Sequence, residues 1–245
     1  MKEIQRILSF VRRAVDDYAM IAPGDRIAVG VSGGKDSLTL LAALAELRRF
    51  YPNPFEVVAI SIDMGLPDMD FSAVEAFTRG YGVEWKQVKT DISNIIFNIR
   101  KEPNPCSLCA KMRRGALHAA AKESGCNKVA LGHHFDDAVE TFMLNLFFEG
   151  RIGTFSPVTY LSRQDLTVIR PLLYAQEKDI RYFARHAEIP VVTSTCPEDH
   201  ATERENMKLL LKELEQKYPG LRHRLFGAIC RGKIDGFRPT GRMPE

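Results

Sequence analysis

The chain has 245 residues, 45% of them hydrophobic, and 34 Lys/Arg against 31 Asp/Glu give a formal charge of +3. That length and apolar content suit one large α/β domain or two small ones with a real core. Charges interrupt the first apolar stretch and no run reaches about 18 apolar residues, which excludes a signal peptide and a membrane span; a soluble, cytoplasmic protein is expected.

Five cysteines are too few and too unevenly spaced for a secreted disulfide scaffold, so a closely spaced pair points to metal or redox chemistry. The charge is uneven. Residues 222–245 carry Arg222, Arg224, Arg231, Lys233, Arg238 and Arg242 against Asp235 and Glu245. Such a basic end suits either an anionic partner such as RNA or a solvated tail.

In chain order, Ile4, Ile7, Leu8, Val11, Ala14, Val15 and Tyr18 recur at helical spacing and predict an amphipathic first helix. Pro23-Gly24-Asp25 breaks the chain before a strand over 26–31, and residues 38–50 read as the next helix. Further strands are expected at 56–62, 84–89 and 128–131. Strands alternating with helices imply a parallel sheet covered on both faces. Residues 176–188, 201–218 and 221–231 read as helices, and 237–245 as a tail.

Ligands of such sheets sit beyond the carboxyl ends of the strands. Three polar clusters fall there: Ser32-Gly33-Gly34-Lys35-Asp36-Ser37 after the first strand, Asp63 after the second, and Gly132-His133-His134-Phe135-Asp136-Asp137 after Leu131. No register supplies the Walker A pattern. Glycines still let backbone N–H groups approach phosphate oxygens, the serines add donors, and the following helix N-terminus favours anions. Lys35 adds charge, and Asp36 can orient the loop or help hold Mg2+. Alone, the two histidines suit structural roles and the paired acids a helix N-cap.

The string SGGKDS resembles the signature of the PP-loop ATP pyrophosphatases, and LGHHFDDAVET is similar to that family's second motif. The resemblance implies a Rossmann-like, adenine nucleotide alpha hydrolase-like fold. It also implies cleavage of ATP between the α and β phosphates to adenylate a carbonyl oxygen. On it, the ATP-binding residues are Ser32, Gly33, Gly34, Lys35, Asp36, Ser37, Gly132 and His133, with Asp63 on the sugar or base side. An N-terminal helix (1–24), an ATP-binding domain (25–200) and C-terminal helices with a basic tail (201–245) are expected.

Pro105-Cys106-Ser107-Leu108-Cys109 is a C-x-x-C, by itself open to zinc, redox or iron–sulfur use. The runs CSLCAKMRRG, GHHFDDAVETFMLNLFFEG and RPLLYAQEKDI resemble the tRNA 2-thiocytidine synthetase branch, and the likeness spans about residues 27–204. It implies a [4Fe-4S] cluster on Cys106, Cys109 and Cys196, with one iron left open for sulfur. It further implies catalytic roles for those cysteines, for Arg113 near the phosphates or leaving group, and for Asp137 at the reacting base. A tRNA substrate, a sulfur donor (a cysteine desulfurase or sulfide) and a homodimer follow from the same resemblance.

The branch usually carries a second C-x-x-C, where this chain has Thr193-Ser194-Thr195-Cys196. Two other uses of the cysteines stay open: zinc completed by His200, and a transient Cys106–Cys109 disulfide. A PP-loop ligase or amidotransferase and a zinc-stabilised RNA-binding protein are the alternative functions. Cys126 and Cys230 read as structural.

Overall fold

The computed structural model describes residues 3–101, 105–192, 195–196 and 203–240. Six strands form one sheet in the order β3-β2-β1-β4-β6-β5: β1 (Asp25–Gly30), β2 (Phe55–Asp63), β3 (Glu84–Lys89), β4 (Lys128–Ala130), β5 (Val158–Leu161) and β6 (Leu166–Ile169). All neighbours pair in parallel except β5 with β6. The sheet is thus mostly parallel with an antiparallel edge hairpin that the sequence reading did not identify. The four expected strands lie within one residue of those observed.

The core helices are α1 (Ile4–Asp17), α2 (Lys35–Leu47) and α3 (Ser72–Gly80), followed by a short α4 (Ile92–Asn94) that runs into a π-helical turn. Then come α5 (Pro105–Glu123), α6 (Phe135–Phe148), α7 (Glu177–His186), α8 (Glu203–Lys217) and α9 (Leu221–Arg231). Leu117, Ala120 and Ala121 of α5 close one sheet face against Ala28, Val58, Val129 and Val168. The other face is buried by α1, α2, α6, α7 and α9 in the larger core. Apolar β1 residues facing both ways, such as Ala28 and Val29 at 0% exposure, follow from burial on both faces.

The C-terminal end differs from expectation. Phe237, expected to begin a tail, is fully buried and meets Phe226 edge-on at 5.7 Å. Arg222, counted in the basic segment, turns inward to Asp136. The aromatic ring gains more from burial than the charge pattern alone suggests. Helix α2 starts three residues earlier than expected because Gly34, in extended conformation, serves as its N-cap. Residues 201–202 of the helix expected at 201–218, and residues 241–245, lie outside the described residues. Among the described residues no helix is long and apolar enough to cross a membrane.

Candidate active site

Strand β1 pairs with β2 on one side and β4 on the other, so chain order reverses between β1 and β4. That topological switch point is where open α/β sheets bind ligands. The two motifs follow these two adjacent strands.

The loop after β1 is tied to itself. Ser32 N donates to Ser37 Oγ at 3.2 Å, and Ser37 Oγ donates to Gly34 O at 2.9 Å. Gly33 takes φ +85°, a left-handed conformation that glycine adopts without strain. Gly132 has a different purpose: a Cβ there would stand 3.1 Å from Asp36 C and Ser37 N. Its absence lets the second motif press against the first turn of α2. Side chains and backbone of both motifs therefore share one wall, at a helix N-terminus that favours an anion.

A cleft of about 660 Å3 opens there, lined by Ser32, Asp36 and Ser37 from the first motif and Gly132, His133 and Asp137 from the second. Its size falls in the range of small-molecule sites. Helix α5 adds Arg113 and Arg114, the turn after β6 adds Arg170, and α8 adds Arg204. Among the described residues Arg113 and Arg114 have no ion-pair partner, and both cations face the cleft. Such a field suits a polyphosphate.

The two acids of the second motif separate. Asp136 accepts from Arg222 Nη1 at 2.9 Å and from Glu177 N at 2.8 Å, pinning α7 and α9 to α6. Asp137 faces the cleft, accepts from His134 N at 2.9 Å, and lies 3.7 Å from Arg204 Nη1. His134 Nε2 stands 3.8 Å from Asp36 Oδ1 and 3.5 Å from Asp137 Oδ2. One buried imidazole thus lies within 4 Å of a carboxylate from each motif. Two such oxygens are suitable donors for Mg2+.

His133 stacks on Phe155 with ring centroids 4.9 Å apart, and its Nδ1 accepts from Arg170 Nε at 3.1 Å. Burial first, and then Arg170, push its pKa down to about 4, so the ring is neutral at neutral pH. Burial, reinforced by Arg114, lowers Arg170 to about 10, which leaves it charged. Glu140, buried on α6, is raised to about 7 by burial and by Asp137, against the pull of Lys208, Arg204 and Arg222.

Four expected ATP residues, Gly33, Gly34, Lys35 and Asp63, do not line the cleft. Lys35 pairs with Asp36 at 3.0 Å and with Glu177 at 3.2 Å. Asp63 accepts from Gly65 N at 2.9 Å and from Gln87 Nε2 at 3.1 Å. Residues the sequence reading did not select include His134, Phe155, Arg170 and Arg204. Arg170 stood in a noted run, but nothing in the sequence ties Arg204 of α8 to the cleft.

Cys106 and Cys109 open α5, exposed and half-buried respectively, one turn before Arg113. Burial raises the Cys109 thiol; Arg113 opposes this, while Cys196 and Cys106 add to it. Cys109 therefore lies in the field of the other two sulfurs. Cys109 Sγ also lies 3.5 Å from Met64 Sδ. The chain reaching Cys196 is strapped down twice, by Val192 N to Gly33 O at 3.0 Å and by Thr195 Oγ1 to Pro67 O at 2.9 Å.

Thiols are the soft donors that an iron–sulfur cluster takes, and three of them would leave one iron of a four-iron cluster unligated by protein. Among the described residues no group of three His, Cys, Asp or Glu closes on a single metal ion. His200, Thr193 and Ser194 lie outside those residues. Cys126 and Cys230 are buried, and burial pushes the Cys230 thiol up to about 12.

Residues 4–214 match the PP-loop domain family. The chain is 41% identical to the tRNA-cytidine(32) 2-sulfurtransferase of Syntrophotalea carbinolica, over 92% of this chain and 88% of that protein. It is 45% identical to the protein of the same name from Pelobacter propionicus, over 92% and 85%. Its fold superposes on the U34-tRNA thiolase NcsA from Methanococcus maripaludis, solved with its [4Fe-4S] cluster, with a TM-score of 0.76, 26% identity and coverage of 91% and 77%.

The fold and cleft are those of an ATP-using enzyme built on a PP-loop. The chain belongs to the PP-loop family, in the group of the tRNA-cytidine(32) 2-sulfurtransferases.

Proposed function

We propose that this protein is an ATP-dependent tRNA sulfurtransferase that converts a cytidine, in the anticodon loop, to 2-thiocytidine. The observation that carries this reading is the adjacency of Cys109 and Arg113 on α5. Arg113 lines the phosphate cleft, and Cys109 lies in its field together with Cys106 and Cys196. An adenylating end and a sulfur end thereby share one helix turn.

ATP is held by the Ser32–Ser37 loop and the α2 N-terminus, with Gly132 and His133 on the facing wall. Lys35 acts on that loop through Asp36, and Asp63 supports the strand end on the sugar side. The cytidine C2 oxygen attacks the α-phosphate and pyrophosphate leaves. Arg113 and Arg114 counter the charge that develops, and Asp36 and Asp137 would hold Mg2+, which would neutralise phosphate charge. Asp137 also faces the reacting base. Cys106, Cys109 and Cys196 would hold a [4Fe-4S] cluster, which would present sulfur from the donor to the activated C2. AMP departs with the original C2 oxygen.

The remaining assignments belong to the same reading. The RNA is bound by shape, with one base splayed into the cleft. A cysteine desulfurase or sulfide supplies the sulfur, the enzyme works in the cytoplasm, and it acts as a homodimer. Residues 25–200 form the ATP-binding unit, flanked by the helix of 1–24 and the helices of 201–245.

The test is anaerobic purification followed by a single turnover with ATP, sulfide and tRNA. A brown protein that releases pyrophosphate and AMP in step with 2-thiocytidine is expected. A colourless protein holding one zinc would remove the cluster, and full activity in Cys106→Ala would move the chain to the ligase or amidotransferase class.

A further inference from the structure

His118 is a polar group that neither motif accounts for. It sits on α5 one turn beyond Arg114, is only 4% exposed, and lines the cleft beside Leu117, Leu161 and Val168. Its surroundings at that end are apolar. Nδ1 lies 3.0 Å from Gln164 Oε1, in the turn joining β5 to β6. A carboxamide oxygen only accepts, so Nδ1 carries the ring proton and Nε2 presents a lone pair. Burial above all, and Arg114 as well, hold the imidazole below its usual range despite the bond to Gln164, which keeps it neutral.

Nε2 has no hydrogen-bond partner among the described residues and is itself closed to solvent, so a donor in the cleft reaches it once the ring turns. Buried polar atoms are nearly always satisfied, and an orphan acceptor in a ligand cleft is a place for a ligand's donor. The contents of the cleft narrow the choice: both ATP and the target RNA bring a nucleobase. Among the bases, adenine and cytosine carry an exocyclic amino group where hypoxanthine and uracil carry a carbonyl oxygen.

We propose that His118 Nε2 accepts a hydrogen bond from the exocyclic amino group of a nucleobase bound in this cleft, and so selects amino over keto bases. A carbonyl at that position would set its lone pair against that of Nε2 and leave both unsatisfied, which is how polar sites discriminate most sharply. Gln164 is a positioning residue, since it fixes the tautomer. The amino group comes either from the target cytosine or from the adenine of ATP. This inference deepens the thiolase reading and rests on it.

The experiment compares wild type with His118→Phe, which keeps a ring but removes the acceptor. Two ratios are measured: thiolation of a tRNA carrying cytidine against one carrying uridine at the target position, and kcat/KM for ATP against ITP. Wild-type turnover on the cytidine substrate tests the thiolase reading separately. A fall of about five- to hundred-fold in one ratio is expected in the variant, as for a lost hydrogen bond of ordinary strength. A fall in the cytidine preference assigns the target base, and a fall in the ATP preference assigns the cofactor base. Gln164→Leu, at an exposed turn position, should erode the same ratio and carries the test if the buried substitution prevents folding. Both ratios unchanged in a folded variant would overturn the proposal.

Discussion

The backbone amide of Val192 donates to the carbonyl of Gly33 at 3.0 Å, joining the phosphate loop to the chain that leads to Cys196. A Cβ added at Gly33 would lie 3.0 Å from Val192 Cβ, and the backbone there has φ +85°. The phosphate loop is therefore tied at Val192 to the chain that leads toward Cys196. Gly33→Ala should cost about 1–3 kcal/mol from backbone strain and contact combined. Weaker ATP binding by calorimetry, accompanied by lower iron content, is the expected result; loss of ATP binding with iron unchanged would uncouple the two.

The separation of Asp136 from Asp137 gives two opposite variants. Asp136→Asn removes the charge that holds Arg222 and should cost about 1.5–3 kcal/mol of stability, the range for hydrogen bonds to charged groups. Asp137→Asn should leave thermal unfolding nearly unchanged while turnover falls steeply, because Asp137 faces the cleft. Melting curves and single-turnover rates on both variants check the division.

Glu140 adds a pH dependence with a definite sign. Its folded pKa of about 7 lies above its ordinary value of 4.5, so the folded state holds the proton more tightly than the unfolded chain does. Its contribution is full below about pH 4.5 and is lost as the pH rises through 7. Glu140→Gln should flatten this part of the stability profile, read from urea midpoints between pH 5 and 8.

Glu177 behaves in the opposite way. Burial works against its charge, but Lys35, Lys208 and Arg181 outweigh that and hold its pKa at about 2. The stability it lends is present above its ordinary 4.5 and is lost as the pH falls toward 2. Glu177→Gln should reduce acid sensitivity while loosening Lys35, which shares its carboxylate at 3.2 Å. Acid-unfolding midpoints of the two proteins test this.

Arg113 lines the cleft without an acidic partner among the described residues. Arg113→Ala should therefore lower turnover more than ATP binding, by about 10- to 1,000-fold, as when one oxyanion donor is removed. Equal turnover by wild type and variant would remove the catalytic assignment.

The sequence made the switch-point site legible because both motifs end buried β-strands, and strand periodicity and glycine placement mark that boundary locally. The β5–β6 hairpin was not legible: each strand has four residues, and β5 alternates weakly as Val158-Thr159-Tyr160-Leu161. Arg204 was hidden for another reason. It reaches Asp137 from 67 residues further along the chain, and only packing of α8 on α6 brings it there. Composition likewise marked Arg222 as a surface charge, whereas the acids of α6 draw it inward. Local pattern reports which face is buried, but long-range ion pairs depend on tertiary docking.

On the proposed reading, this chain adds sulfur to a cytidine of tRNA by way of ATP and Cys106, Cys109 and Cys196. Mass spectrometry of tRNA nucleosides tests it most directly, in cells lacking the protein and in cells supplied with wild type, Cys196→Ala or Asp137→Asn. 2-Thiocytidine is expected with wild type alone. Its presence without the protein, or undiminished with Cys196→Ala, would rule out this chemistry.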